Sequence, residues 1–399
     1  MGETRFIIAG NLIDGSGAAV QKNVFLQVQN RIIAAIGSAA HLSSFNGAVV
    51  DNFSHCTVLP ALVDCSVTLS MSPAVNIKER LATEEAGLSK KTAILARHIR
   101  YCHIHGVLGV ADSDDPSGLV ESFKVEGSLQ GLVDIRTSGR LCRSREDRTS
   151  GELAANDFLK VGYSVNIEDG QTTNSRLGPE DLCRILENRG ARKAVVVANG
   201  PQPVKDALAA GCDAIEQGYA MGEENLRLMA AKGVLWIPGV LRAKNALSTA
   251  GASGDVGCRF SLGYVAPGKP APGAVAYWKK MLAEQLLQLR LARKLGVLTA
   301  VGTGAGSVGL LHGESMAEEM KLFIKAGYSL TETIRCASQN GAEFFSLEKL
   351  GQLTAGRNAN FLITRGSVQQ LPRKLSYLEG IYVDGQPSSI YHKNPVRPA

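Results

Sequence analysis

Short apolar strands alternate with amphipathic helices through the middle of this 399-residue chain, and this alternation constrains the fold more than any other feature. It is typical of βαβ units and a parallel sheet. We count eight strands over roughly 290 residues, the size of a (β/α)8 barrel. The predicted strands span 58–69, 107–112, 132–137, 163–168, 194–199, 214–217, 234–238 and 297–303. The predicted helices span 78–98, 179–189, 201–210, 223–231, 276–295 and 314–326.

The two ends of the chain have a different pattern. Both contain short β-rich runs bounded by turn residues such as Asp14-Gly15 and Asp384-Gly385, which is typical of antiparallel strands. The fold class is therefore predicted to be α/β, a (β/α)8 TIM barrel with a small β-sandwich built from both termini. The predicted domains are residues 1–57 together with 351–399, and residues 58–350. The Gly-, Ala-, Ser- and Pro-rich stretch 239–273 is predicted to be a long loop over the barrel mouth.

Composition argues against several classes of partner. The formal charge of +6 comes from 43 basic and 37 acidic residues that are mixed along the chain, so nucleic acid is not expected as a partner. No apolar run reaches the ~20 residues that cross a bilayer, and the first residues do not resemble a signal peptide. A cytoplasmic protein with mostly reduced cysteines is the expectation.

Six segments of the sequence are informative when taken together. They are Asn11-Leu-Ile-Asp-Gly, Arg31-Ile-Ile-Ala-Ala-Ile-Gly, Val58-Leu-Pro-Ala-Leu-Val-Asp, Ile215-Glu-Gln-Gly, Gly302-Thr-Gly-Ala-Gly and Gly351-Gln-Leu-Thr-Ala-Gly-Arg-Asn-Ala-Asn-Phe. In this order they resemble the amidohydrolase superfamily, especially its imidazolonepropionase-like and prolidase-like branch. The resemblance implies a barrel with a β-sandwich, and an activity of metal-dependent hydrolysis of amide, amidine or related bonds.

The metal ligands implied by the resemblance are missing from this sequence. The family's His-x-His becomes Ser66 and Thr68, and the aspartate after the eighth strand becomes Gly304. Two later histidines become Val197 and Gln217. Family members with two metals carry a carboxylated lysine in the fourth strand. The predicted fourth strand of this sequence contains no lysine, and Lys160 is expected to precede it.

These replacements predict that the ancestral divalent metal, such as zinc, is lost. A catalytic zinc needs about three imidazole, carboxylate or thiolate donors and an open position for water. Hydroxyl and amide groups would leave a neutral polar pocket instead, suited to an uncharged polar ligand. The predicted ligand pocket comprises Ser66, Thr68, Arg136, Asn199, Gln217, Gly304 and His312.

The candidate catalytic residues are His312, Asp112 and Glu168. His312 is expected to project from the loop after the eighth strand, and the two acids could perform general acid–base chemistry at the barrel rim. Further rim groups are expected after the second to fourth strands. They are Asp114, Asp115, Asp169 and the arginines 136, 140, 143, 145 and 148, which either attract an anion or pair with neighbouring acids.

Three other patterns are interpreted as structural. The series Gly304-x-Gly306-x-x-Gly309 matches a dinucleotide fingerprint but does not open a compact βαβ unit. Cys102-His103-Ile104-His105 falls at the face opposite the barrel mouth. Cys65 has no histidine at a recognisable spacing and is expected to be an inert buried thiol.

Two functions remain open from the sequence. The first is a catalytically impaired homologue that acts in binding or regulation, as a homo-oligomer or with a paralogue partner. The second is a divergent hydrolase of carbon–nitrogen bonds that works without the ancestral metals.

Overall fold

The computed structural model describes residues 4–41, 48–115, 117–126, 131–144, 156–164, 177–251 and 273–391. Its strands are β1 Thr4–Leu12, β2 Gln21–Gln29, β3 Ile32–Ser38, β4 Val49–Pro60, β5 Leu62–Val67, β6 Val107–Asp112, β7 Asp134–Thr137, β8 Leu159–Gly162, β9 Ala194–Ala198, β10 Ala214–Gln217, β11 Leu235–Ile237, β12 Phe361–Arg365, β13 Leu378–Val383 and β14 Gln386–Pro387. Its α-helices are α1 Ile77–Glu84, α2 Leu88–Ile104, α3 Leu119–Glu126, α4 Pro179–Glu187, α5 Pro201–Ala209, α6 Glu223–Lys232, α7 Val240–Gly251, α8 Ala274–Leu295, α9 Ser315–Lys325, α10 Leu330–Cys336 and α11 Gln339–Phe344.

Two parallel arcs of strands close into a barrel. One arc has the order β5-β6-β7 and the other β8-β9-β10-β11. A bridge between Cys142 and Val161 joins the arcs on one side. On the other side the segment 299–305 closes the gap, because Thr299 bridges to Trp236 and Ala305 to Val67. The prediction of a (β/α)8 barrel is therefore confirmed.

A seven-stranded sheet combines strands from both ends of the chain, in the order β14-β13-β12-β4-β1-β2-β3. Strand β4 lies at its centre, parallel to β1 and antiparallel to β12. Residues such as Ile7, Leu26 and Phe361 form a buried apolar cluster on this sheet, separate from the larger core of the barrel. The sheet contains the predicted terminal strands, while the domain boundaries at 57/58 and 350/351 stay predictions.

Several predicted elements differ from the structure. The predicted eighth strand, 297–303, has only an isolated bridge at Thr299, and the predicted first strand, 58–69, covers the end of β4 and all of β5. The fourth barrel strand is Leu159–Gly162 rather than 163–168. The first predicted helix is divided into α1 and α2, because Gly87 lies in extended backbone at the start of the second helix. The predicted loop at 239–273 begins with helix α7, whose Leu- and Ala-containing turns pack on α8, while residues 252–272 lie outside the described chain.

None of the described helices is both long enough and apolar enough to cross a membrane. The helices of the barrel are amphipathic instead, and they bury residues such as Leu182, Leu226 and Phe323 against the strands. The inner side of the barrel carries buried polar side chains.

Candidate functional site

The polar groups of the barrel centre come from alternate positions of the strands. Side chains of a strand alternate between its two faces, so the inner face of β5 presents Asp64 and Ser66 while Cys65 points to helix α11. In the same way β8 directs Lys160 inward, and β10 contributes Glu216. These four polar residues are all buried.

Lys160 is a buried residue of the barrel centre whose position was predicted wrongly from the sequence. Its Nζ lies 2.7 Å from Oε2 of Glu216 and donates to Oγ of Ser113 at 2.9 Å. Ser66 Oγ donates to the other carboxylate oxygen of Glu216 at 3.0 Å. The fourth strand therefore does carry a lysine that faces the barrel centre, contrary to the prediction. The prediction placed the fourth strand at 163–168, of which 165–168 lie outside the described residues, whereas the structure has the strand Leu-Lys-Val-Gly at 159–162.

Asp64 and Asp112 are buried carboxyl groups held by hydrogen bonds. Asp64 accepts from the backbone N–H and the hydroxyl of Thr303, at 2.9 and 2.5 Å. Asp112 accepts from Leu69 N at 2.7 Å and Thr137 Oγ1 at 3.0 Å. Burial raises the pKa of Asp64 to about 6 and that of Asp112 to about 7, against the lowering effect of these bonds. Asp112 thus serves to connect three barrel segments.

Asn199 and Gln217 connect the ends of three neighbouring strands. The Asn199 side chain donates to Ser164 O and Gln217 Oε1 and accepts from Tyr219 N. Gln217 has a positive φ of 71°, which directs its carbonyl toward the donors of Trp236 and Gln285. Both predicted pocket residues are buried in this network.

His312 lies at the junction of the eighth-strand loop and helix α2. Its Nε2 donates to the carbonyl of Thr68 at 3.1 Å, and its ring stacks on His98 at 4.1 Å between centroids. Burial, with the neighbouring His98, lowers the pKa of His312 to about 3. A base with so low a pKa stays neutral near pH 7, and this neutral ring fills a buried junction.

Gly304, where the resemblance implies an aspartate, has a φ of 70°. Its backbone N–H donates to Ser66 O at 2.8 Å, which ties the eighth-strand segment to β5. The left-handed backbone favours glycine here. The position therefore contributes backbone rather than a metal ligand.

Arg136 does not face the predicted pocket. Its neighbour Thr137 bonds to Asp112 inside the barrel, so the alternation of β7 directs Arg136 outward. There its guanidinium donates to the carbonyls of Phe345 and Ser346, just after helix α11. The prediction of Arg136 as a pocket residue is wrong, and the residue caps a helix C-terminus.

The other predicted candidates are distributed as follows. Glu168, Asp169, Arg145 and Arg148 lie outside the described residues. Arg143 forms an ion pair with Asp114 at the rim.

His103 donates from Nδ1 to Leu132 O and accepts at Nε2 from Ser388 Oγ. Burial raises the pKa of Cys65 well above its usual value, so its thiol stays protonated.

The comparison with family models identifies the superfamily. The amidohydrolase family matches residues 168–390, which is more than half of the chain. The protein belongs to the amidohydrolase family. A comparison with curated proteins gives no match for this amidohydrolase-family chain.

Solved structures share the fold of this family member over nearly its whole length. A Xaa-Pro dipeptidase with bound methionine is 19% identical, with a TM-score of 0.78 over 97% of this chain and 100% of the other. Ochratoxinase of A. niger is 18% identical, with a TM-score of 0.76 over 97% and 95%. Molinate hydrolase is 15% identical, with a TM-score of 0.76 over 100% and 97%. At these identities the likeness shows the fold alone.

The described residues of the barrel centre do not fit a catalytic divalent metal. Within the described ranges, no three His, Cys, Asp or Glu side chains are grouped as metal ligands would be. Asp64 and Asp112 are occupied by backbone and hydroxyl donors, and Glu216 is occupied by Ser66 and Lys160. The arrangement holds one buried ammonium, that of Lys160, and its hydroxyl and amide groups bond to neighbouring groups of the chain.

Proposed function

We propose that this protein is a catalytically impaired amidohydrolase-family member that binds a small polar molecule and acts in regulation or assembly. The observation that carries the proposal is the Lys160–Glu216 pair. A buried carboxylate needs a compensating cation, and here an ammonium of the chain itself supplies it. With that charge balanced internally, a divalent ion would have to displace Lys160 to reach Glu216.

The polar groups around this pair suit ligand binding better than metal-dependent hydrolysis. A metal-activated hydroxide needs a cation that lowers the pKa of its bound water to about 7. Ser66, Asn199 and Gln217 provide neutral donors and acceptors instead. We also propose assembly as a homo-oligomer or with a paralogue, the mode of action that a binding homologue would use.

Metal content tests the first part of the proposal. The chain is expressed with added zinc and manganese, purified, and analysed by inductively coupled plasma mass spectrometry with and without bicarbonate. The bicarbonate arm is needed because carboxylation of Lys160 by CO2, with release of two protons, would replace its ammonium with an anionic carbamate. We expect far less than one equivalent of metal per chain in both arms.

Lys160→Met is the matched variant for the bicarbonate arm, since it cannot be carboxylated. Equal, low metal content in the two proteins supports the proposal. Near-stoichiometric metal in the unaltered chain that disappears in Lys160→Met would overturn it and restore a metal-dependent hydrolase.

A second candidate is a metal-free hydrolase of carbon–nitrogen bonds. The observation in its favour is the 3.0 Å bond from Ser66 Oγ to Glu216, a hydroxyl placed beside a carboxylate that could take its proton. The substrates to assay follow the names of the similar structures and comprise Xaa-Pro dipeptides, ochratoxin A and molinate. Turnover that persists in chelator and is lost in Ser66→Ala, but not in Ser248→Ala on helix α7, would replace the binding proposal with this one.

A further inference from the structure

A cavity of about 280 Å³ lies away from the barrel mouth, between the barrel and the seven-stranded sheet. Its walls come from helices α2 and α3, from the start of strand β7, and from the loops around Lys349 and Asp384. This volume is slightly below the ~300–1,000 Å³ of drug-binding pockets, so it suits a molecule the size of an amino acid.

The floor of the cavity is aliphatic. It is formed by residues that include Ile99, Leu108, Ile135 and Leu350, all of them buried. Such a surface favours an apolar group of the ligand, because removing it from water contributes about 25 cal/mol per Å². Charged side chains surround this floor.

Two of the cationic lining residues already have acidic partners. Lys124 pairs with Glu121 and Asp157, at 3.1 and 2.8 Å. Arg136 pairs with Asp134 at 3.0 Å and caps helix α11. Neither residue is available to a ligand without breaking these contacts.

The remaining charges of the lining are Lys349 and Asp384. Within the described chain, the Lys349 ammonium forms no ion pair, and the Asp384 carboxylate accepts a single bond from Asn358 at 3.2 Å. The cavity therefore presents one available cation and one available anion beside an apolar floor.

Asn360 holds these two residues in a fixed relation. Its Nδ2 donates to the carbonyl of Lys349 at 2.9 Å, and its Oδ1 accepts from the N–H of Asp384 at 2.7 Å. Asn360 is itself a buried residue of the cavity wall. One amide side chain thus fixes the backbones of both charged residues on the same wall.

We propose that this cavity is a binding site for a zwitterionic amino acid with an aliphatic side chain. Lys349 binds its carboxylate, Asp384 binds its ammonium, and the aliphatic floor takes its side chain. The site is separate from the barrel centre, so the proposal does not depend on whether the protein hydrolyses a substrate.

Isothermal titration calorimetry of the full chain with three related probes tests the proposal. L-leucine carries both charges, 4-methylpentanoate lacks the ammonium, and 3-methylbutylamine lacks the carboxylate. We expect L-leucine to bind at least about tenfold more tightly than either analogue, since each analogue lacks one of the two hydrogen-bonded charge pairs. Absence of L-leucine binding, or equal binding of the three probes, overturns the proposal.

Two variants then locate the binding to this cavity. Lys349→Met removes the cation at an exposed position, and Asp384→Asn removes the anion while keeping a residue that tolerates its φ of 49°. Each should weaken L-leucine binding about tenfold or more, whereas Lys325→Met, an exposed lysine on helix α9, should not change it. Unchanged binding in both cavity variants means that L-leucine binds elsewhere and overturns the assignment.

Discussion

Lys160 and Glu216 form a buried ion pair at the barrel centre. Both side chains are nearly inaccessible to water, with 7% and 10% of their surface exposed. Burial of either charge alone would cost several kcal/mol, and the two charges offset this cost for each other. Removal of either partner alone would therefore leave an uncompensated buried charge, whichever function the protein has.

A double-mutant cycle measures this dependence. Lys160→Met and Glu216→Gln should each lower the free energy of unfolding by about 3–5 kcal/mol, because each leaves one partner uncompensated. The double variant should lose less free energy of unfolding than the sum of the losses in the two single variants. Urea denaturation provides the measurement. The exposed pair Lys205–Glu224 serves as a control, with an expected coupling of about 0–1 kcal/mol.

The pH dependence of stability follows from the raised pKa of Asp112. Its pKa is about 7 in the folded chain and about 3.9 when unfolded. Stabilisation by such a group is complete below the unfolded value and is lost as pH rises through the folded value. The free energy of unfolding should thus decline less steeply between about pH 4 and 7 in Asp112→Asn than in the unaltered chain. Glu224→Gln, at an exposed position, is the control. The prediction is contradicted if the free energy of unfolding declines with rising pH as steeply in Asp112→Asn as in this control.

At the scale of secondary-structure elements, helix α7 depends on a side chain from another helix. Both carboxyl oxygens of Glu319 on α9 accept from the first N–H groups of α7, at Val240 and Leu241. Burial raises the pKa of Glu319 to about 8. The first N–H groups of a helix have no partner within it, so Glu319 satisfies two of them.

Removing this cap should destabilise α7. We expect Glu319→Ala to cost several kcal/mol, since each buried N–H without a partner costs about 1–3 kcal/mol. Hydrogen exchange of residues 240–251 should accelerate in this variant. Glu318→Ala alters the neighbouring residue, which pairs with Lys244 and Lys321 nearer the surface, and should have a smaller effect. Equal effects of the two variants would assign the stabilisation to charge rather than to capping.

At the scale of the whole molecule, Tyr382 connects the C-terminal strands to the N-terminal part of the sheet. Its ring stacks on Phe361 at 4.6 Å and meets the edge of Phe53 at 6.2 Å. Its hydroxyl donates to Asp51 at 2.8 Å. The contacts with Phe53 and Asp51 join residues more than 300 positions apart in the chain.

Substitution of Tyr382 tests whether the sheet and the barrel unfold together. Tyr382→Ala should cost about 3–5 kcal/mol, and Tyr382→Phe only about 1 kcal/mol for the lost hydrogen bond. Both tryptophans of the chain, Trp236 and Trp278, belong to the barrel section and report on it by fluorescence. If the sheet and the barrel unfold as one cooperative unit, the transitions followed by fluorescence and by circular dichroism should shift equally. An unchanged fluorescence transition would show that the sheet unfolds separately.

The barrel could be predicted because apolar periodicity is a local property. The strands predicted at 107–112 and 214–217 coincide with β6 and β10. The fourth strand could not be located, because Lys160 interrupts its apolar pattern and only the opposite Glu216 explains a buried lysine. A carboxylate predicted nearby on the sixth strand was the one signal that could have suggested this pairing.

The sequence by itself determined the α/β class, the family and the hydroxyl and amide side chains at Ser66, Thr68 and Gln217, since these depend on residue type and order. Only the tertiary structure decided which side chains meet. It directed Arg136 outward and Lys160 inward, stacked His98 on His312, and placed Glu319 at the start of α7. The physical reason is that strand register and barrel closure bring together residues that are far apart in the chain. Local sequence patterns do not determine which of these residues come into contact.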